Sequence, residues 1–136
     1  MTVSSSGDAP RDIRERSFAY ASRALGVFRS LQNGVDRAGW VLGRQYLRSA
    51  TSIGANIEEA QSGESRSDFI HKFGIAQKEA RESLYWLKLF RASALLSADV
   101  VEPMVRETDE LLAVITAIIL RTKRRGSKCA QRRASS

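Results

Sequence analysis

Gln45–Phe90 reads QYLRSATSIGANIEEAQSGESRSDFIHKFGIAQKEARESLYWLKLF, and its spacing sets the class of the whole chain. Tyr46, Ala50, Ile53, Ile57 and Ala60 recur at the three-to-four interval of one helical face, and Phe69, Phe73, Ala76, Ala80, Leu84 and Leu87 do the same further on. Between them, Gln61-Ser62-Gly63-Glu64 leaves room only for an antiparallel hairpin of helices. Ser65-Arg66-Ser67-Asp68 has the S-x-x-D form of a capping box, in which the serine hydroxyl takes an otherwise orphaned backbone N–H.

A turn centred near Ser62 to Glu64 pairs residues whose numbers sum to about 127. That register predicts Gly54 opposite Phe73, Ile53 opposite Gly74, Asn56 near His71, and Arg48 near Glu79 with Glu82 one turn on. Large residues then meet small ones and the two axes approach closely. The charge pair beside the core penalises slipped registers, because a slip strands a charge.

The string Arg48-Ser49-x-x-Ser52-Ile53-x-x-Asn56-Ile57-x-Glu59, then Ser65-x-Ser67-Asp68-Phe69-Ile70, then Ile75-Ala76-x-Lys78-Glu79-Ala80-x-Glu82-x-x-Tyr85-Trp86-Leu87, resembles the bacterial four-helix-bundle family named for proteins encoded in intervening sequences of large-subunit ribosomal RNA genes. It is also similar to the accessory variability determinant of diversity-generating retroelements. The resemblance is dense over roughly residues 40 to 92 and rests on pattern outside them. It implies an up-down-up-down bundle, a ring-shaped homopentamer, and nucleic-acid binding without known catalysis. On the retroelement branch it further implies a reverse transcriptase and its template RNA as partners. Where many relatives have Glu-Gly after Asn-Ile, this chain has Glu59-Ala60.

The flanks fit an all-α, antiparallel four-helix bundle over residues 11–125, between a disordered segment 1–10 and a basic flexible tail 126–136. Both prolines, Pro10 and Pro103, fall near expected helix starts, where proline is tolerated. Asp8 or Asp12 can cap the first helix. Its apolar positions Phe18, Ala21, Leu25 and Phe28 recur at heptad spacing, with Arg16 and Arg23 on the other side, and Gln32-Asn33-Gly34 ends it. Asp36 caps the second helix. Asp99-Val100-Val101-Glu102 resembles a capping box with Pro103 just inside the fourth.

Helix four carries the widest apolar stripe: Met104, Val105, Thr108, Leu111, Leu112, Ile115, Ile118 and Ile119. Either it packs against two neighbours, or it serves a second contact with another subunit or partner.

Charge is unevenly placed. Of the net +7, residues 121–136 hold Arg121, Lys123, Arg124, Arg125, Lys128, Arg132 and Arg133 with no acid, and the preceding residues balance fifteen basic against fifteen acidic. Cations on one short arm suit phosphate contact without base reading. The expected nucleic-acid residues are these seven, assisted by Arg16 and Arg23. The expected structural motif is Arg48, Ser52, Asn56, Glu59, Glu79 and Glu82.

Other chemistries lack their ligands. A di-iron bundle needs two Glu-x-x-His motifs, and His71 is the single histidine. Cys129, also single, has no partner for a disulfide. No glycine-rich phosphate loop occurs, so no enzyme, metal or cofactor is expected. Ser49, Ser52 and Asn56 suit an internal hydrogen-bond network better than a ligand-reading face. Trp40, Tyr85 and Trp86 could stack on bases, but their intervals suit core or subunit contacts. With no long apolar run and no secretory signal, no membrane association and a cytoplasmic location are expected. The rival reading is a protein–protein scaffold in which the wide stripe of helix four docks a partner and the tail is incidental.

Overall fold

Three short polar side chains set where the first three helices begin in the computed structural model, which describes residues 12–135. The Asp12 carboxylate accepts from the Arg14 N–H at 3.0 Å and opens α1 (Ile13–Gln32). Asp36 accepts from the Ala38 N–H at 2.9 Å and opens α2 (Arg37–Gln61). The Ser65 hydroxyl accepts from the Asp68 N–H at 3.0 Å and opens α3 (Arg66–Ala92). Each cap satisfies a donor that the helix itself cannot reach. Before α4 (Ala98–Ser135) the Ser97 carbonyl collects the N–H groups of Val100 and Val101 at 3.1 and 3.0 Å. That helix therefore starts upstream of the expected Asp99 box, and Pro103 lies more than a turn inside it.

The described residues form four helices and no strands, joined by the short links 33–36, 62–65 and 93–97. Links so short make neighbours antiparallel. The α1–α2, α2–α3 and α3–α4 seams are extensive, and α1 touches α4 more lightly. No described helix is long and apolar enough to cross a membrane. The expected segment 1–10 lies outside the described residues.

The core is aromatic and aliphatic, with a polar thread through it. Tyr46, Ala50, Ile53, Ile57 and Ala60 of α2 are buried as their spacing predicts, as are Phe73, Ala76, Ala80 and Leu87 of α3; Phe69 and Leu84 are half-buried. The Tyr46 ring meets Phe90 edge to face at 5.9 Å. Its hydroxyl donates to the Tyr20 oxygen at 3.1 Å, Tyr20 pairs with Thr108 Oγ1 at 2.6 Å, and Thr108 donates to the Met104 carbonyl. Burial raises both tyrosine pKa values. One relay thus ties α2, α1 and α4 together in a single register.

Five further expectations are corrected. The buried face of α1 is Ile13, Ser17, Tyr20, Ala24, Val27 and Leu31. The heptad read from Phe18 to Phe28 lies a different way round: Phe18 is 78% exposed and Leu25 38%. A serine and a tyrosine whose hydroxyls bond internally belong to the core, so the purely apolar positions misidentify its face.

Gly54 faces α1, where an added Cβ would meet Ser17 Oγ at 3.3 Å, and Gly74 has nothing within 4 Å. Asn56 bonds the Ser52 carbonyl at 2.8 Å and the Ser52 hydroxyl at 3.1 Å, not His71, which is exposed. Asn33 ends α1 in the right-handed region, and the left-handed residue is Ala94 (φ 59°) beyond α3.

Finally, Gly126 does not end α4, which runs on to Ser135. A lone helical glycine costs only about 1 kcal/mol. Here its missing side chain leaves room for the Arg66 chain, whose Cδ would stand 3.3 Å from a Cβ at that position.

Candidate nucleic-acid interface

The last four turns of α4 hold six of the seven expected cations, with Arg121 just before them. At 100° per residue, Arg121, Arg124, Arg125, Lys128 and Arg132 share a sector of about 100°, spread over about 16 Å of axis. All five are exposed. Lys123 points to the opposite side, and Arg133 continues the direction of the core-facing stripe beyond the end of the bundle. The array is a helical rail continuous with the rest of α4. Cations at its C-terminal end also complement the negative end of the helix dipole.

α3 adds a cation that spacing alone does not reveal. Arg66, the first residue of α3, lies across Gly126 with Nη1 3.7 Å from the position a Cβ would take. It makes no ion pair among the described residues. The antiparallel α3–α4 seam brings the start of one helix beside the end of the other, so the signal was the capping box at Ser65 combined with topology.

Helix one contributes differently from expectation. Arg16 Nη2 is held by Glu107 at 3.1 Å and Glu110 at 3.0 Å, closing the α1–α4 seam. That guanidinium is neutralised and half-buried. Arg23 is exposed but lies two turns further along α1, away from the α4 extension. Neither joins the rail.

The motif residues fasten helices. Arg48 reaches Glu79 at 3.4 Å and also pairs with Glu82, which accepts from Trp86 Nε1 at 3.1 Å. Glu79 is only 11% exposed, so the Arg48 contact offsets the cost of its burial. Glu59 pairs with Lys72 at 3.0 Å, a second α2–α3 clasp. Ser49 and Ser83 share a buried hydrogen bond of 2.9 Å across the same seam. At the end of the bundle beside the rail, Arg14 forks onto Glu58 at 2.9 and 3.1 Å and lowers the Glu58 pKa. Among the described residues no group of His, Cys, Asp and Glu is placed to hold a metal.

The chain that folds this way matches the 23S rRNA-intervening sequence protein family over residues 12–117. The chain belongs to that family. A crystal structure of a protein of unknown function from the S23 ribosomal protein family of Bacteroides thetaiotaomicron superposes with a TM-score of 0.75 at 36% identity, covering 79% of this chain and 98% of that one. Comparison with curated proteins finds none that matches. The family match stops at residue 117, so every cation of the rail lies beyond it. This member of the family continues its fourth helix past the matched segment.

Proposed function

We propose that this family member is a non-enzymatic accessory protein that binds RNA or DNA electrostatically, with low sequence specificity, as a homo-oligomer. The observation that carries the reading is the rail: five exposed cations on one face of a continuous helix, projecting from a body whose charges balance. Successive cations average about 4 Å apart along the axis, comparable to the axial spacing of about 3.4 Å between phosphates on one strand. No aromatic side chain lies among them, so contact is with the backbone and carries little base information. The ring-shaped pentamer that the resemblance implies would gather five rails and add avidity. A reverse transcriptase with its template RNA is the partner proposed for the retroelement branch.

Truncation after Leu120 tests the reading, because Ile119, the last buried residue, is retained. The truncated protein is expected to keep its helical melt and lose most of its affinity for single-stranded RNA and duplex DNA. For the full chain, five phosphate contacts imply an affinity for duplex DNA that falls about 500-fold between 50 and 200 mM salt. Binding that survives both truncation and salt would move the interface to the bundle surface.

A further inference from the structure

The two tryptophans of the chain do different things. Trp86 is half-buried, donates from Nε1 to Glu82 and meets the Tyr85 ring edge to face at 5.1 Å, so it is a packing residue. Trp40 is 38% exposed, and its indole N–H has no acceptor among the described residues. It is left outside because Gly39 and Gly43 take the inner side of this stretch, with Leu31 of α1 within 4 Å of the place of each missing Cβ. The Arg44 guanidinium lies over its ring at 5.0 Å. Together with Val41, Gln45 and Arg48 the pair lines an open groove of about 320 Å³.

The charge around this indole has one sign. Residues 37–57 contain Arg37, Arg44 and Arg48 and no acid. Arg48 is committed to Glu79 and Glu82, and Asp36 to its cap on Ala38. Arg37 and Arg44 are exposed, and neither makes an ion pair among the described residues. Seven positions separate them, so they share one side of α2 about 10 Å apart along the axis, with Trp40 between them.

We propose that Trp40, with Arg37 and Arg44, is a stacking site for an unpaired base of single-stranded nucleic acid. An indole face accepts any base, and cations on either side of it suit the phosphates that flank that base. A single strand is the occupant because its bases are free to turn onto the ring, whereas a duplex keeps their faces covered. An acidic peptide would match the guanidiniums and leave the indole face without a counterpart. The site lies at the other end of the bundle from the rail: α2 begins beside the end of α3, and the rail passes the start of α3. The inference rests on the nucleic-acid part of the function proposed above and adds to it a contact with bases, which the rail lacks.

The full-length protein tests the site, with oligouridine of about 16 nucleotides, the upper site size of a single-strand-binding fold, set against a DNA duplex. Oligouridine is expected to quench Trp40 emission, read in Trp86→Phe, where Trp40 is the sole tryptophan, or as the difference between the wild type and Trp40→Phe. Trp40→Ala is expected to weaken oligouridine binding about fivefold or more and to leave duplex binding unchanged. Trp40→Phe, which still stacks, is expected to keep most of the affinity. Arg44→Gln is expected to lower the slope of log affinity for oligouridine against log salt by about 0.7. Emission that the strand does not change, a Trp40→Ala protein that binds it as the wild type does, or an equal loss for the duplex would overturn the site and leave the rail standing. A sedimenting mass that falls in Trp40→Ala would make the indole a contact between copies and overturn the site as well. Truncation after Leu120 judges the rail separately: duplex binding that survives it removes the rail, and the quenching of Trp40 does not depend on that result.

Discussion

Tyr20 receives one hydrogen bond and gives another inside the core, so its two neighbours depend on it unequally. Tyr46→Phe removes a donor and leaves Tyr20 still bonded to Thr108; the expected loss is about 1 kcal/mol. Tyr20→Phe leaves the Tyr46 hydroxyl buried without an acceptor, and the expected loss is larger, about 1–3 kcal/mol. Urea titration of both variants checks the order. Burial favours the neutral form of both phenols, whose unfolded value is near 10. A folded pKa raised above the unfolded one gives stability that is complete below about pH 10 and is lost as pH rises above it. Melting temperature is therefore expected to fall steeply between about pH 10 and 11, and less so in Tyr46→Phe. The sequence displays the aromatic body of Tyr20 but not its partner Thr108, which is 88 residues away. Reading α1 from apolar residues alone selected Phe18 over Tyr20 for that reason.

The helices themselves were legible wherever one signal sufficed. Asp36 and Ser65 cap as read, and the apolar face of α2 is buried as read, because caps and three-to-four spacing act within a few residues. The glycines were not legible, since what a glycine makes room for belongs to another helix. Gly74, expected against Ile53, has open space around it, and Gly74→Ala is expected to stabilise by about 0.5–1 kcal/mol through helix propensity. Gly43 has Leu31 Cδ1 at 3.1 Å and Phe28 Cδ1 at 3.2 Å from a virtual Cβ. Gly43→Ala is expected to cost about 1–3 kcal/mol from overpacking, against that same helix gain. Paired thermal melts of the two variants should move in opposite directions. Ala94 holds φ 59° after α3, so Ala94→Gly should raise the melting temperature by relieving left-handed strain.

For the whole molecule, charge separates from packing. Fifteen cations and fifteen anions balance over residues 1–120, and the surplus sits on the α4 extension. Where the surplus lies could be read by counting. Its shape could not, because Gly126 suggests a break when seen alone, and only the start of α3 beside it explains why the helix continues. Helical continuity yields a prediction that a loose arm does not: position on the helix should matter. Arg125→Ala should lower the slope of log affinity for duplex DNA against log salt by about 0.9, whereas Lys123→Ala, facing the other way, should change it little. Equal effects at the two sites would remove the rail as the contact surface.

One consequence follows from the continuity of α4 between its buried first half and its cationic second half. Cys129, exposed and the single cysteine of the chain, is fixed to the same rod as Leu111 and Ile115. A fluorophore placed on that thiol should tumble with the entire particle, so its anisotropy decay gives a direct gauge of particle size, with or without a bound strand.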